Sequence, residues 1–423
     1  MIKLHIIFFS FLLLVQMYLH AQQSNYYSPI DIEIDRKENL FYVAGKTANE
    51  VRCYNISDYS LKSTLKTDLP PKALKIAGDN LLISQSHSAG ELLLVDLKTF
   101  VLKSKIKVGF GACDIAVSSD HKRVFVANQF SNDVSVVDLS TNKEINRISV
   151  LRQPKQIEIS RDGKFLFVAN FLTAGRADVD TVTSEISIID LQSEKVIRHI
   201  QLANGSNALR GMALSVDGEY LFISHNLGRF QVPTTQLEQG WMNTSAMSVI
   251  NTSKLEFEAT VLLDEPENGA AGSWGIDCSN EYIFVAHSGT HDYSKIDYQK
   301  FVEKLNHTKD KNTLSYDLRF LSGIRERIKV NGNGPRAVKA AGNKLFIANY
   351  FTDNINVHDV KANLNARSIQ LNEITEMDEI RLGEMYFNDA TYCFQGWQSC
   401  NGCHPDEART DGLNWDLLRS EER

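Results

Sequence analysis

"GACDIAVSSDHKRVFVANQFSNDVSVVDLSTNKEINRISV", residues 111–150, carries a complete structural cycle. An apolar run (DIAVS) is followed by a turn (SDHK), a second apolar run (VFVAN) and a polar turn (SND). Then come an alternating run (VSVVDL), another turn (STNK) and a last run (INRISV). Runs of five or six apolar and β-branched residues between Gly, Asn, Asp and Ser clusters are strand signals. None of them keeps a helical period long enough to compete. Four short strands joined by tight turns make one antiparallel blade that cannot bury both of its faces alone.

The second run recurs as "LFYVAG" (40–45), "LLISQ" (81–85), "VFVANQ" (124–129), "LFVANF" (166–171), "LFISHN" (221–226), "IFVAHS" (283–288) and "LFIANY" (345–350). Its marker residues Val43, Ile83, Val126, Val168, Ile223, Val285 and Ile347 are separated by 40, 43, 42, 55, 62 and 62 positions. A period near 42 is that of a four-stranded propeller blade. Seven such blades around an axis cover one another's faces and leave only short edges. The fold class expected is therefore all-β: a seven-bladed β-propeller of four-stranded blades over 28–372. A short, incomplete helical segment over 373–423 follows it.

The repeats resemble the YVTN-type propeller family, which carries "VAN…N-x-V-x-V-ID" and a "P-x-x-[IL]" start to the inner strand. The likeness runs over roughly 28–372 and is clearest in the third and fourth units. It implies the fold and no particular activity, because propellers serve as enzymes, scaffolds and binding modules alike.

The longer intervals locate insertions at 173–185, 227–246 and 289–327, the last containing "YQKFVEKLNH", read as a short helix. Each is read as following the same strand of its blade, which would place all three on one face of the disc, where function usually sits. On that face His225, with Asn226 and Arg229, and His287 with His291 are candidates for an acid–base, metal or ligand-binding cluster. Backbone-bonded loop histidines are the plainer alternative. Asp178 and Asp180 hint at calcium but lack the glycine and spacing of a defined loop.

The starts of the inner strands read "PIDI", "PKAL", "ACDI", "PKQI", "LRGM", "SWGI" and "PRAV". Their second column is Ile30, Lys72, Cys113, Lys155, Arg210, Trp274 and Arg336. Four of these seven are basic in a chain where Lys and Arg number 45 of 423. This column would ring one mouth of the central channel with positive charge, suited to a small anionic ligand or to haem propionates. Solvated strand ends are the alternative.

The N-terminal 1–21 reads as a secretory signal peptide. Lys3 gives a positive start, an apolar run spans 6–14 around Ser10, and Ala21 precedes polar Gln22. An uncleaved anchor is the alternative. Export implies a periplasmic or secreted bacterial protein with no integral span after signal removal. A net charge of −7 argues against a nucleic-acid partner. Cys53, Cys113 and Cys278 are too scattered for a disulfide framework, and the latter two sit in apolar strand patterns.

Near the carboxyl end "SCNGCHPD" places Cys400, Cys403 and His404 in the order C-x-x-C-H. Two cysteines three apart reach both vinyl groups of a porphyrin from one helical turn, and the next residue supplies the axial imidazole. The expected cofactor is one covalent haem c with His404 as iron ligand. A zinc site is the rival, but no second C-x-x-C or H-x-x-x-H completes it. Around the motif, "RLGEMYFNDATYCFQGWQSCNGCHPD" resembles the start of the first haem module of the bacterial di-haem cytochrome c peroxidase family. Gly383, Phe387, Asp389, Ser399 and the haem triplet match its pattern. That likeness spans about 380–420 and implies an electron-transfer or peroxidase role. Residues 405–423 offer no His or Met as a sixth ligand, and Met377 and Met385 lie upstream. The module reads as incomplete, so peroxidase activity does not carry over. A redox partner or a completing chain is expected. A ligand- or protein-binding propeller with a non-functional haem remnant is the alternative.

Overall fold

The computed structural model describes residues 26–232, 241–373 and 376–415. The expected leader lies outside the described residues, as does the last part of "DGLNWDLL". Twenty-eight strands form seven four-stranded antiparallel sheets, each built from four consecutive strands. The blades are β1–β4 (29–66), β5–β8 (71–107), β9–β12 (112–149), β13–β16 (154–201), β17–β20 (206–262), β21–β24 (273–329) and β25–β28 (335–370). The expected seven-bladed propeller is the observed one.

Burial grades outward within each blade. The second strand, β2 (Leu40–Gly45), is buried at every position, whereas the fourth, β4 (Leu61–Lys66), is largely exposed. That gradient explains why "LFYVAG" is continuously apolar and "LKSTLK" is not: the former has a blade on each side, the latter faces water. The first turn of the cycle is closed by its own side chains. In blades three, four and five, Ser118, Ser160 and Ser215 donate to Asp120, Asp162 and Asp217 at 2.6–2.7 Å. The corner that follows is left-handed, at Gly163 (φ 72°) and Gly218 (φ 78°), with His121 (φ 55°) in the third blade.

Neighbouring blades are clasped at the axis by carboxylates. Asp31 accepts from Leu74 N, Asp114 from Ile157 N and Asp277 from Ala340 N, each at 2.7–2.8 Å. Because no blade borrows a strand from another, the ring closes by packing. Phe41 of the first blade lies 5.0 Å from Phe346 of the seventh, centroid to centroid. Asp353 accepts from the backbone N–H groups of Tyr27 and Ser28 at 2.8 and 2.7 Å.

Two insertions are placed as expected, between the second and third strands of blades four and five. In the fifth blade much of the extra length is strand, since β18 (Tyr220–Gly228) and β19 (Asn243–Asn251) pair over nine residues. Positions 233–240 lie outside the described residues. The third insertion corrects the sequence reading. "DYSKID" is strand β23 (Asp292–Asp297), so the added segment begins at Tyr298 and follows the third strand, which puts it on the opposite face. It forms helix α1 (Tyr298–His307), capped by Asp297 and buried through Phe301 and Leu305 against blades five and six.

After β28 the chain returns across the mouth of the channel as a cap. Its helices are α2 (Glu379–Asn388), α3 (Cys400–Cys403) and α4 (Pro405–Ala408). No helix among the described residues is long and apolar enough to cross a membrane.

Candidate functional site

The cap is joined to the propeller by backbone as well as by side chains. Gly269 N donates to Gln395 O and Ala390 N to Gly289 O, both at 2.8 Å. The fit requires glycine at Gly269, where a Cβ would lie 2.4 Å from Gly396 O, while a Cβ on Gly228 would lie 2.5 Å from a Leu413 methyl that would have to move. Helix α2 seats Met385 on Tyr350 and Phe351 of the seventh blade. Leu413 joins Val182 of the fourth-blade insertion and Phe230 of the fifth.

The basic column does ring this mouth, and the cap faces it with carboxylates. Asp406 pairs with Lys155, whose side chain is 6% exposed, and Asn401 accepts from Arg210 at 3.1 Å. Glu384 lies 2.9 Å from Arg381 and 4.0 Å from Arg336. Arg210 and Arg336 flank the Trp274 ring at 4.7 and 4.4 Å, and Arg336 stacks on Tyr350 at 3.6 Å. Burial raises the Asp406 carboxyl, but the charges of Lys155, Arg210 and Lys72 outweigh it and hold the group well below the usual carboxylate range. Burial, with Lys155 and Lys46 nearby, pulls Lys72 down to about 7. The charge expected to await an external anion therefore meets, in part, the chain's own acidic residues.

Within the cap, Cys400 and Cys403 bracket the single turn of α3, and His404 N donates to Cys400 O at 2.9 Å. Cys400 is exposed, while Cys403 is half-buried with Asn243 Nδ2 2.9 Å from its sulfur. Burial, reinforced by Asp411, pushes the Cys403 thiol up to about 11. His404 is exposed, and its Nδ1 lies 3.2 Å from Arg409 O. A backbone partner at one ring nitrogen orients the imidazole and leaves Nε2 for a metal, the arrangement common to ligating histidines. Beside the motif stand exposed aromatic side chains, Tyr392 at 70% and Phe394 at 61%, with Tyr386 packed on Tyr392 at 5.3 Å. Paired thiols on one turn, an oriented imidazole and an apolar exposed surface fit a c-type haem. Met385 packs on the seventh blade, where it accepts from Asn333, and Met377 lies against the same cluster.

The histidine cluster is corrected. His225 and His287 are fully buried and point into their blades, where Nε2 of each meets a serine hydroxyl, Ser248 at 2.7 Å and Ser294 at 2.8 Å. Strand residues facing a sheet interior cannot present a ligand surface, and no group of three or more His, Cys, Asp or Glu among the described residues could hold a metal ion. Burial takes His225 down to about 4. Of the three histidines only His291 reaches the cap: Gly334 N donates to its Nδ1 at 3.1 Å, and Asp389 lies 3.3 Å from Nε2, while Asn226 Nδ2 donates to Gly402 O of the cap at 3.2 Å. Asp178 is exposed and tied to Arg176 at 2.8 Å. Arg229 is buried under Tyr316, 4.4 Å from its ring.

Sequence reasoning missed Asn243, Asn401, Asp406 and Arg409. Asn401, Asp406 and Arg409 belong to a tail without periodic signal and Asn243 to the lengthened hairpin of the fifth blade, and their partners lie far away along the chain. The glycines Gly228, Gly269 and Gly289, each at a place where the cap touches the rim, were the available hint.

Residues 16–213 match the model of the YNCE-like beta-propeller family. Hydrazine synthase subunit beta of Kuenenia stuttgartiensis is 26% identical over 234 residues, 53% of this chain and 58% of that protein. Antigen Lp49 of Leptospira interrogans is 24% identical over 220 residues, 40% of this chain and 47% of that protein. Hydrazine synthase subunit gamma of Kuenenia stuttgartiensis is 47% identical over 38 residues, 9% of this chain and 11% of that protein. The chain spans less than two thirds of the length of these curated relatives. Among solved structures, a chain of Kuenenia stuttgartiensis hydrazine synthase superposes with a TM-score of 0.72 at 22% identity, covering 79% of this chain and 96% of that one.

Proposed function

We propose that this chain, whose propeller is YNCE-like and similar to a subunit of a multi-subunit enzyme, is an exported haem-carrying subunit that passes electrons to or from a partner. The observation that carries this reading is the placement of the triplet. Cys400 and His404 stand exposed on a cap that backbone hydrogen bonds fix to a rigid toroid. Cys400 and Cys403 would hold the porphyrin through thioether bonds, and His404 would ligate the iron from a ring oriented by Arg409 O. When bound, haem c would supply one-electron chemistry. The chain's own contribution is position. The propeller holds the cap through Lys155, Arg210 and the glycine contacts, and the exposed Tyr392, Phe394 and Ile380 present apolar surface to a completing chain or redox partner.

The test is a reduced-minus-oxidised absorbance spectrum of protein matured in a host that attaches haem c, beside the Cys400→Ala/Cys403→Ala variant. Sharp bands in the former alone support the reading, and a colourless product of normal yield refutes it. A second reading is favoured by the half-buried Cys403: the chain is a propeller scaffold that binds a partner protein through its cap, with the haem motif a remnant. Under that reading the cysteine variant assembles with its partner as the parent does.

A further inference from the structure

Between the cap and the propeller mouth lies a cavity of about 220 Å3. Its charged lining is Lys46, Lys72, Arg336 and Arg409 against a single carboxylate, Asp406, which is already engaged by Lys155. An excess of cations around one partly open space, in a chain of net charge −7, is a local arrangement and not a consequence of composition.

Neither Arg336 nor Lys72 has a carboxylate at close ion-pair distance, although Arg336 stacks on the Trp274 and Tyr350 rings. Arg336 is 4% exposed, its Nε donates no hydrogen bond, and its nearest acidic oxygen, on Glu384, is 4.0 Å away. Lys72 forms neither a hydrogen bond nor an ion pair among the described residues. Arg336 is buried and Lys72 half-buried, and charge so placed without a close counter-charge is costly unless something compensates it. The volume is smaller than the roughly 300–1,000 Å3 of sites that hold drug-sized ligands, so the compensating species is small.

We propose that this cavity is an anion site that takes one small oxyanion or carboxylate group, with Lys72 and Arg336 as inner contacts and Lys46 and Arg409 at the rim. The chemistry is shared by a free ion such as phosphate and by the carboxylates of a haem held on the cap. The site itself does not depend on haem attachment. The lowered proton affinity of Lys72 agrees with it, since an arriving anion restores that ammonium.

The experiment is calorimetric titration of inorganic phosphate into the full chain at neutral pH, with potassium chloride of equal ionic strength as reference. The expected result is saturable one-site binding above the chloride reference, weakened at least tenfold by Lys72→Met and several-fold by Lys46→Ala. Met keeps the shape of Lys72 and Lys46 lies toward the rim, so both variants are expected to fold, which thermal melting checks. Binding no stronger than chloride, or unchanged in folded Lys72→Met, overturns the proposal. Haem-carrying protein and the Cys400→Ala/Cys403→Ala variant are titrated side by side to separate the two sources. Equal affinity assigns the cations to a free anion. Binding confined to the variant assigns them to haem carboxylates.

Discussion

Replacing Asp406 by Asn should release the cap while leaving the propeller intact. Asp406 and Lys155 have side chains 22% and 6% exposed, and Arg210 and Lys72 add further positive charge at the same carboxylate. Asn keeps the volume and removes the charge, so Lys155 is left buried without compensation. Breaking one side of a buried pair typically costs about 3–5 kcal/mol, and the partial exposure of Asp406 places this case near about 3 kcal/mol. Each 1.4 kcal/mol is a factor of ten, so the population of the open cap should rise about 100-fold. Amide hydrogen exchange reads this directly. Gly402 N and His404 N, bonded to Ser399 O and Cys400 O, should exchange about 100-fold faster, while the amides of β14 (Phe165–Asn170) keep their protection. Adding Lys155→Met should recover at least about 1.5 kcal/mol, because the double variant buries apolar groups where an orphan cation stood. A change below twofold at Gly402 and His404, or simultaneous loss of protection in β14, would refute the claim that this pair latches a separable cap.

Other outcomes follow from the same geometry. Gly269→Ala sets a Cβ against backbone on the cap side, Gly396 O and Trp397 Cα both at 2.4 Å, so limited proteolysis should begin to cut within 376–415 where the parent resists. Lys72, with its affinity for protons reduced to about 7 in the folded state, makes the protein more stable as pH rises from 7 toward 10.5, because only the unfolded chain stays protonated in that window. Lys72→Met should remove this gain and stabilise the protein at pH 7 by about 2 kcal/mol, allowing for water in the channel, as read from unfolding curves at both pH values. His225, held neutral to about 4, works in the acid range: stability falls as pH drops from 6.5 to 4, since the unfolded imidazole takes up a proton that the folded one resists. That term is about 3 kcal/mol, and calorimetric melting of His225→Gln should show a flatter acid limb.

The propeller was legible because its determinants are local and periodic. The doubly buried second strands read as apolar phrases, and the Ser-x-Asp corners punctuate them at a fixed offset. The strand β23 escaped because its interior positions include Ser294 and Lys295, which satisfy themselves with His287 and with Glu326 and Tyr282. A strand that buries a lysine does not look like one. The basic column was readable as a ring, since each member starts an equivalent strand. Its counter-charge was not, because Lys155 and Asp406 meet across 251 residues. The C-x-x-C-H triplet was plain from spacing, whereas the contact of Cys403 with Asn243 depends on an extended hairpin that no local pattern announces. The histidines misled for a related reason: "SHN" and "HSGTH" look like loop chemistry, yet the extended β18 and the interior of β22 (Tyr282–His287) take His225 and His287 inside.

The most direct test is the intact mass of the protein matured with haem c, followed by peptide mapping. The account predicts a shift of one haem, carried on a peptide containing both Cys400 and Cys403 and absent from the Cys400→Ala/Cys403→Ala variant. An unmodified mass for folded protein from a host that loads a control cytochrome would contradict it.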